Sequence, residues 1–338
     1  MEEGTCALCP PGTESRLFTP ADSGGVSFFY RKCRRCGLVF LHPRPDEKEM
    51  PAFYSRDYYG EGLRKFRSWL ERPRAFFAWK RMRRVRGFIP HAGKALDVGC
   101  GQGTFLQFLK REGWECHGTE LTRESASRAS QWGIPVSIGE VKKGQFSPRY
   151  FDLITFWHVL EHLADPVRTL QSLRGLLKRG GILAIATPNI DSLQAEIGKG
   201  RWFHLDPPRH LYLYSPQTLR QMMESLGCRL LQIRYFSMEQ NPYGWLQTLL
   251  NLSGLPADSL YRILKNTPGL RCQRLTFSQK GKTLLLAGGL LPHCLFLSAI
   301  MAWFHRGGTM EAYFRLEDER DGEKETVSFP KDGGMKDS

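Results

Sequence analysis

The stretch Ala95–Phe105, ALDVGCGQGTF, constrains this chain more than any other. An apolar run ending at Val98 breaks into Gly99, Gly101 and Gly103 and continues as the helix-like TFLQFLKREG. Strand, glycine turn and helix in that order open a nucleoside-binding βαβ unit. Glycine is needed in such a turn because a side chain would hold a ligand off the backbone and resist positive φ. A second strand, Trp114–Thr119, leads onto Glu120, where a carboxylate can accept both hydroxyls of a ribose.

The spacing of the glycines separates two classes of ligand. A dinucleotide site uses G-x-G-x-x-G and sets a pyrophosphate at the helix N-terminus. Here the pattern is G-x-G-x-G, and Asp97 stands immediately before the turn. A carboxylate there repels a diphosphate and suits a cation, such as the ammonium and sulfonium of S-adenosylmethionine (SAM). An ordinary tight turn also uses glycines, so the assignment leans on Asp97, Glu120 and the motifs nearer the C-terminus.

The rest of the chain alternates as a doubly wound α/β sheet does. Strands are expected at 95–98, 114–119, 135–138, 151–156 and 182–186, with helices at 104–112, 122–132 and 165–177. Residues 230–236 and 308–316 supply the sixth and seventh strands. The expected fold is therefore a Rossmann-like, seven-stranded α/β sheet. Around it the chain divides into a zinc ribbon (1–45), a linker and basic leading helix (46–92), the nucleoside-binding core (93–237), an apolar helical insertion (238–305), the last core strand (306–318) and a polar tail (319–338) expected to be disordered. A chain of 338 residues is long enough to bury such a core.

The ribbon rests on Cys6, Cys9, Cys33 and Cys36, two C-x2-C pairs with 23 residues between them. Two such knuckles hold four thiolates tetrahedrally around Zn²⁺, and four protein ligands make the metal structural. Four unligated cysteines are the alternative. Ribbons contact nucleic acid as readily as they staple a lobe too small to fold alone. The nine cysteines do not form a disulfide set, and the acidic start MEEGTCALCPP has no apolar leader segment; a reducing, cytoplasmic compartment is expected.

The net charge of +14 points to an anionic partner: nucleic acid, a membrane surface or a phosphorylated substrate. Between Arg64 and Arg86 stand ten Lys or Arg residues against one acid, Glu71. Ser68–Phe88 reads as a helix broken near Pro73, with Trp69, Phe76, Phe77, Trp79, Met82 and Val85 on an apolar stripe and arginines opposite. That basic face is either simply solvated or attracts phosphate or anionic lipid.

A second cluster of chemistry lies in FWHVLEHLADP (156–166) and in WFHLDPPRHLYLYS (202–215), both expected at the carboxyl edge of the sheet. With these in view the chain resembles the class I SAM-dependent methyltransferases that carry a zinc ribbon, a group including sugar C-methyltransferases and many bacterial envelope-gene methyltransferases. The shared marks are the paired CxxC, HPRP at 42–45, LDVGCGQGTF, FWHVLEHLADP, GGILAIATPN and DPPRHLYLYSPQTL. They extend from about residue 5 to 237 and again over 306–316. The resemblance implies SAM held by Asp97, Gly99, Gly101, Gly103, Glu120 and Trp157.

It also implies a base near the methyl acceptor. Methyl transfer is an in-line displacement at carbon, so alignment and removal of a proton are the enzyme's tasks. His210 matches the segment that carries the base in the sugar C-methyltransferases, although an acidic residue commonly precedes it there and Arg209 does here. His158 is the second candidate, Tyr212 and Tyr214 would position the acceptor, and His204 is expected to pack. His158, Glu161, His162 and His210 also compose a His₃Glu set that a second, divalent metal could occupy; a similar set holds Mg²⁺ in RNA 3′-end 2′-O-methyltransferases. The alternative is that Glu161 and His162 floor the cofactor pocket.

Between the last two strands lie Tyr243–Leu255 and Thr283–Phe304, the latter with no Asp, Glu, Lys or Arg. That segment is long enough for a membrane span. Both flanking strands must join one sheet, so the expectation is a re-entrant or interfacial helix pair, broken near Gly288, Gly289 and Pro292 and flanked by Lys280, Lys282 and Arg306 at the headgroups. A lid or an oligomer interface is the alternative. Taken together, the expected activity is SAM-dependent methylation of a small-molecule, sugar or lipid-linked acceptor at the cytoplasmic face of the membrane. RNA methylation and a non-catalytic zinc-ribbon scaffold are the competing readings.

Overall fold

The computed structural model describes residues 1–12, 14–18, 28–46, 48–50, 53, 71–264 and 275–317. Three short strands come first, β1 (Glu14–Phe18), β2 (Phe29–Cys33) and β3 (Val39–His42). The central run is α1 (Glu71–Phe88), β4 (Lys94–Val98), α2 (Thr104–Arg111), β5 (Glu115–Glu120), α3 (Arg123–Gln131), β6 (Val136–Ile138), β7 (Phe151–Trp157), α4 (Pro166–Arg174) and β8 (Leu177–Pro188). Next come α5 (Leu193–Gly198), β9 (Tyr212–Leu213), α6 (Pro216–Ser225) and β10 (Cys228–Arg234). Helices α7 (Asn241–Leu252), α8 (Ser259–Leu264) and α9 (Phe277–Trp303) precede the last strand, β11 (Thr309–Leu316).

Seven strands form one sheet in the order β10-β11-β8-β7-β4-β5-β6. Strands β4 to β8 run parallel, and β11 is antiparallel to both of its neighbours. The expected Rossmann-like sheet is thus present. Its inner strands are buried on both faces, through Ala95, Leu96 and Val98 in β4 and Leu153, Ile154 and Phe156 in β7. Helices on both faces of a parallel sheet impose that apolar continuity. Side chains of Thr122, Asp165, Ser192 and Ser215 cap the starts of α3, α4, α5 and α6. The strand order reverses at β4, which has β5 on one side and β7 on the other, and this is where open α/β sheets leave a crevice for a ligand.

The cysteine-bearing lobe is joined to the core by strand pairing. Strand β3 pairs with β9, Phe40 opposite Tyr212 and Val39 opposite Leu213, making a four-stranded sheet that includes part of the core's own chain. The Tyr30 hydroxyl reaches the carbonyls of Leu205 (2.5 Å) and His210 (2.9 Å). Arg44 donates to the carbonyl of Ala164 and to the Tyr212 hydroxyl, each at 2.9 Å. One apolar cluster runs from Cys33 and Leu38 through Leu211 and Met222 to Phe314.

Two helical expectations need correction. Over its described residues, from Glu71, helix α1 is continuous through Pro73. Its arginines are not all solvated: Arg81 pairs with Glu239 (3.0 Å), and Arg84 pairs with the buried Glu311. The expected helix pair over 283–304 is instead a single helix, α9, with Pro292 inside it. Pro292 withholds one backbone donor, but Thr283 and Ala287 before it and Cys294 and Ser298 after it are buried along one face, and this packing keeps both halves in line. Ser68 and Trp69, residues 54–70 and 265–274, and the tail from 318 lie outside the described residues.

Candidate active site

The glycine turn after β4 has φ of 67° at Gly99, 53° at Gly101 and 72° at Gly103. The three glycines serve different ends. A Cβ at Gly99 would come within 2.6 Å of Val159, and one at Gly103 within 2.6 Å of Ala129, so these two let the turn pack closely on its neighbours. A Cβ at Gly101 would meet nothing within 4 Å; its missing side chain faces open space. Gly101 donates its N–H to Glu120 Oε2 at 2.8 Å, and Leu121 donates to Oε1 at 2.8 Å. The Glu120 carboxylate therefore sits beside the turn with its orientation fixed. An open glycine edge next to an oriented carboxylate, at the strand-order reversal, fits the nucleoside half of SAM.

Asp97 lies beneath this turn and is only 2% exposed. Thr155 donates to its Oδ1 at 2.6 Å. Burial pushes its pKa up to about 7, against the opposing pulls of the Thr155 hydrogen bond and the Arg81 cation. Trp157, at the end of β7, meets Phe105 edge to face at 5.2 Å and carries the Arg81 guanidinium over its ring at 5.0 Å. Arg81 escaped the sequence reading. Nothing in an arginine-rich helix marks which residues turn inward.

The second half of the site is built by the turn after β7 and the segment 202–210. His158 takes a positive φ of 58°, and its Nδ1 lies 3.5 Å from Glu161 Oε1. Glu161, in the single turn of 3₁₀ helix Leu160–His162, is 0% exposed. Burial works to raise its pKa, but the His158, His162 and His210 imidazoles outweigh it and hold the carboxyl at about 2. His162 Nδ1 is 3.0 Å from the Arg209 carbonyl, and His210 Nδ1 is 2.7 Å from the His204 carbonyl. The His162 and His210 rings meet edge to face, 4.6 Å apart. Burial pushes the His162 pKa down to about 4, and the neighbouring His210 adds to this.

His210 thus stands in the cluster, held by its own loop. Arg209 pairs with Asp206, and Asp206 Oδ2 lies 4.0 Å from His210 Nε2, so the chain brings a carboxylate to this histidine from four residues upstream. His204 is buried and packs against Trp202 and Phe203. Tyr212 lies away from this histidine cluster's open side. It is buried in the β3–β9 seam, its hydroxyl engaged by Arg44, because its strand position faces the cysteine lobe. Tyr214 is likewise wholly buried.

Cys6, Cys9, Cys33 and Cys36 gather with all four sulfurs within 4.8 Å of one another, and Cys6 Sγ lies 3.5 Å from Cys36 Sγ. Thiolates around tetrahedral Zn²⁺, with bonds of about 2.3 Å, stand roughly 3.8 Å apart, so the four residues fit that ion.

The methyltransferase-domain family matches residues 64–233, half of the chain. The chain belongs to this family, the class I SAM-dependent methyltransferases. It is 30% identical over 166 residues to a ubiquinone biosynthesis O-methyltransferase of Coxiella burnetii, covering 45% of this chain and 71% of that protein. A protein of the same description from Histophilus somni is 31% identical over 107 residues, and there the match covers 28% of this chain and 45% of the relative. Among solved structures, a SAM-dependent methyltransferase from Archaeoglobus fulgidus superposes with a TM-score of 0.46 at 18% identity, covering 71% of this chain and 94% of the other.

Proposed function

We propose that this methyltransferase acts on an amphiphilic acceptor, a quinone-like or sugar-bearing lipid, at the cytoplasmic face of a membrane. The observation that carries this is α9. It is long and apolar enough to cross a bilayer, yet only 17% of its most apolar window is buried. Leu285, Phe296 and Trp303 are 79%, 67% and 83% exposed. Its packed stripe, Thr283–Ala287–Cys294–Ser298, runs most of the helix length, so the helix stays on the protein body and offers its remaining faces to the hydrocarbon boundary. Helix α7 packs against α9 and also against the turn 203–205 that leads to His210, so an acceptor arriving from the lipid has a short path to the site. The relatives' description in ubiquinone biosynthesis is in keeping with a lipid acceptor.

In this reading SAM lies along Gly99, Gly101, Gly103 and Glu120 with Asp97 beneath it, and His210, or else His158, takes the proton from the acceptor as the methyl group moves. Zn²⁺ in the four cysteines holds the N-terminal lobe against the loop that carries His210. Purified protein given [methyl-¹⁴C]SAM and either a bacterial membrane-lipid extract or total RNA tests the reading. Label is expected in the organic phase; label confined to RNA would overturn it.

A further inference from the structure

We infer that the outward face of α1 is a second membrane contact, one that takes an anionic lipid surface and turns the mouth of the cofactor site toward it. The inference rests on the membrane reading of α9 and adds an orientation to it. Along α1 the exposed side chains Phe76, Lys80 and Arg83 recur at spacings of four and three, so they form one stripe. The stripe mixes rings with cations. Phe76 is 47% exposed and stacks on the half-buried Trp79, ring centres 5.8 Å apart. Lys80 Nζ lies 4.7 Å from the centre of the Phe76 ring, and the Arg83 guanidinium 5.2 Å from that of Trp79. Rings and cations interleaved in this way suit the bilayer interface, where aromatic side chains sit at headgroup level and Lys or Arg is drawn to anionic lipid.

The placement of the stripe is the independent sign. Arg81 lies over the ring of Trp157, the last residue of β7, at 5.0 Å, and Arg84 pairs with Glu311 near the start of β11. Both partners mark the carboxyl edge of the parallel strands, because β11 runs antiparallel to β8. Further along α1, Phe88 meets Tyr313 in the body of β11 at 4.8 Å. Helix α1 therefore starts at the crevice and descends along the sheet, and its stripe begins at the rim.

The loop between β10 and α7 joins this rim to the membrane helix. Its Glu239 pairs with Arg81 at 3.0 Å, and its Tyr235 ring stacks at 4.9 Å on His305, two residues beyond the end of α9. Met238 in the same loop is exposed, as are Trp303 and Phe304 at the end of α9. An apolar rim thus continues from Phe76 through Met238 to α9, with Lys80 and Arg83 adding positive charge. RNA also meets interleaved rings and cations, but the apolar continuation favours lipid. Seated on this rim, the protein presents its crevice to the headgroup layer, where the polar end of a lipid acceptor lies.

The test is co-sedimentation of the full-length protein with vesicles of phosphatidylcholine alone or mixed with phosphatidylglycerol. Binding to the anionic vesicles should be stronger, and high salt should remove the difference. Each basic residue at such a surface is worth about fivefold, so the Lys80→Glu, Arg83→Glu double variant should bind anionic vesicles at least tenfold more weakly. Its binding to neutral vesicles, its melting temperature and its SAM affinity should stay close to those of the unmodified protein, since both side chains face solvent. Equal binding to both kinds of vesicle, or anionic binding undiminished in the double variant, would overturn the α1 contact and leave that of α9 standing. Failure to bind either kind would overturn the membrane reading and this inference with it. Retention of total RNA that is lost in the double variant, with vesicle binding intact, would assign the face to RNA instead.

Discussion

The backbone N–H of Gly101 donates to Glu120 Oε2 at 2.8 Å, tying the turn after β4 to the carboxylate that ends β5. Two sequence signals 19 residues apart are thereby one structural unit. Glu120→Ala removes the ribose acceptor and leaves the Gly101 N–H unpaired. SAM binding should weaken by about 1.5–3 kcal/mol, the range for hydrogen bonds to a charged group. Gly101→Val should abolish binding by filling the open edge of the turn. Calorimetry showing tight NAD binding and none for SAM would sink the cofactor assignment.

The raised pKa of Asp97, about 7, should make SAM affinity depend on pH. The folded value lies above the ordinary carboxylate range, so the neutral acid predominates in the cofactor-free protein below pH 7. Its contribution to fold stability is full below about pH 4 and is lost as pH rises through 7. SAM, with net positive charge, favours the carboxylate and must expel a proton in acid. Affinity is expected to fall by up to about eightfold from pH 7.5 to 6, with the dependence absent in Asp97→Asn. A flat profile in the unmodified protein would show that the cofactor does not sense this charge.

Elemental analysis should find about one Zn²⁺ per chain held by Cys6, Cys9, Cys33 and Cys36. Because β3 pairs with β9, the Cys6→Ser, Cys33→Ser double variant should lower the melting temperature of the whole chain along with its metal content. Full zinc occupancy in that variant would refute the ligand assignment.

For α9, flotation with anionic liposomes should recover the intact protein, and high salt should weaken binding only in part, since the apolar contribution is unscreened. Serine at Leu285, Leu291, Phe296 and Trp303 should release it with SAM binding unchanged. Each large side chain lost from the lipid is worth about 1.5–3 kcal/mol. A soluble dimer that ignores liposomes would make the exposed face an interface between copies of the chain.

The nucleoside half of the site was legible because its signals are local: an apolar strand, glycines at fixed spacing and one carboxylate at the next strand end. The inner strands β4, β7 and the end of β8 were legible for a related reason, since buried strands are continuous apolar runs. Pro292 and the glycines of 288–289 misled because local helix preference was read without the face that packs on α7 and α8. The two-residue strand Tyr212–Leu213 is too short to show a pattern, so its pairing with β3 and the inward setting of Tyr212 could not be read. The pairing of His162 with the Arg209 carbonyl spans 47 residues and exists only in space.

The β3–β9 pairing also orders events at the ribosome. His42 ends β3 and Tyr212 begins β9, an interval of 212 − 42 = 170 residues, which takes roughly ten to thirty seconds to synthesise. All four cysteines of the lobe are synthesised before that interval begins. The lobe can thus form first and wait with one edge open, and the edge closes only when β9 follows the parallel strands β4 to β8. That closure brings Tyr30 to the carbonyls of Leu205 and His210, so an early segment becomes the template on which the loop 205–210 is set, before β10 and β11 complete the seven-stranded sheet.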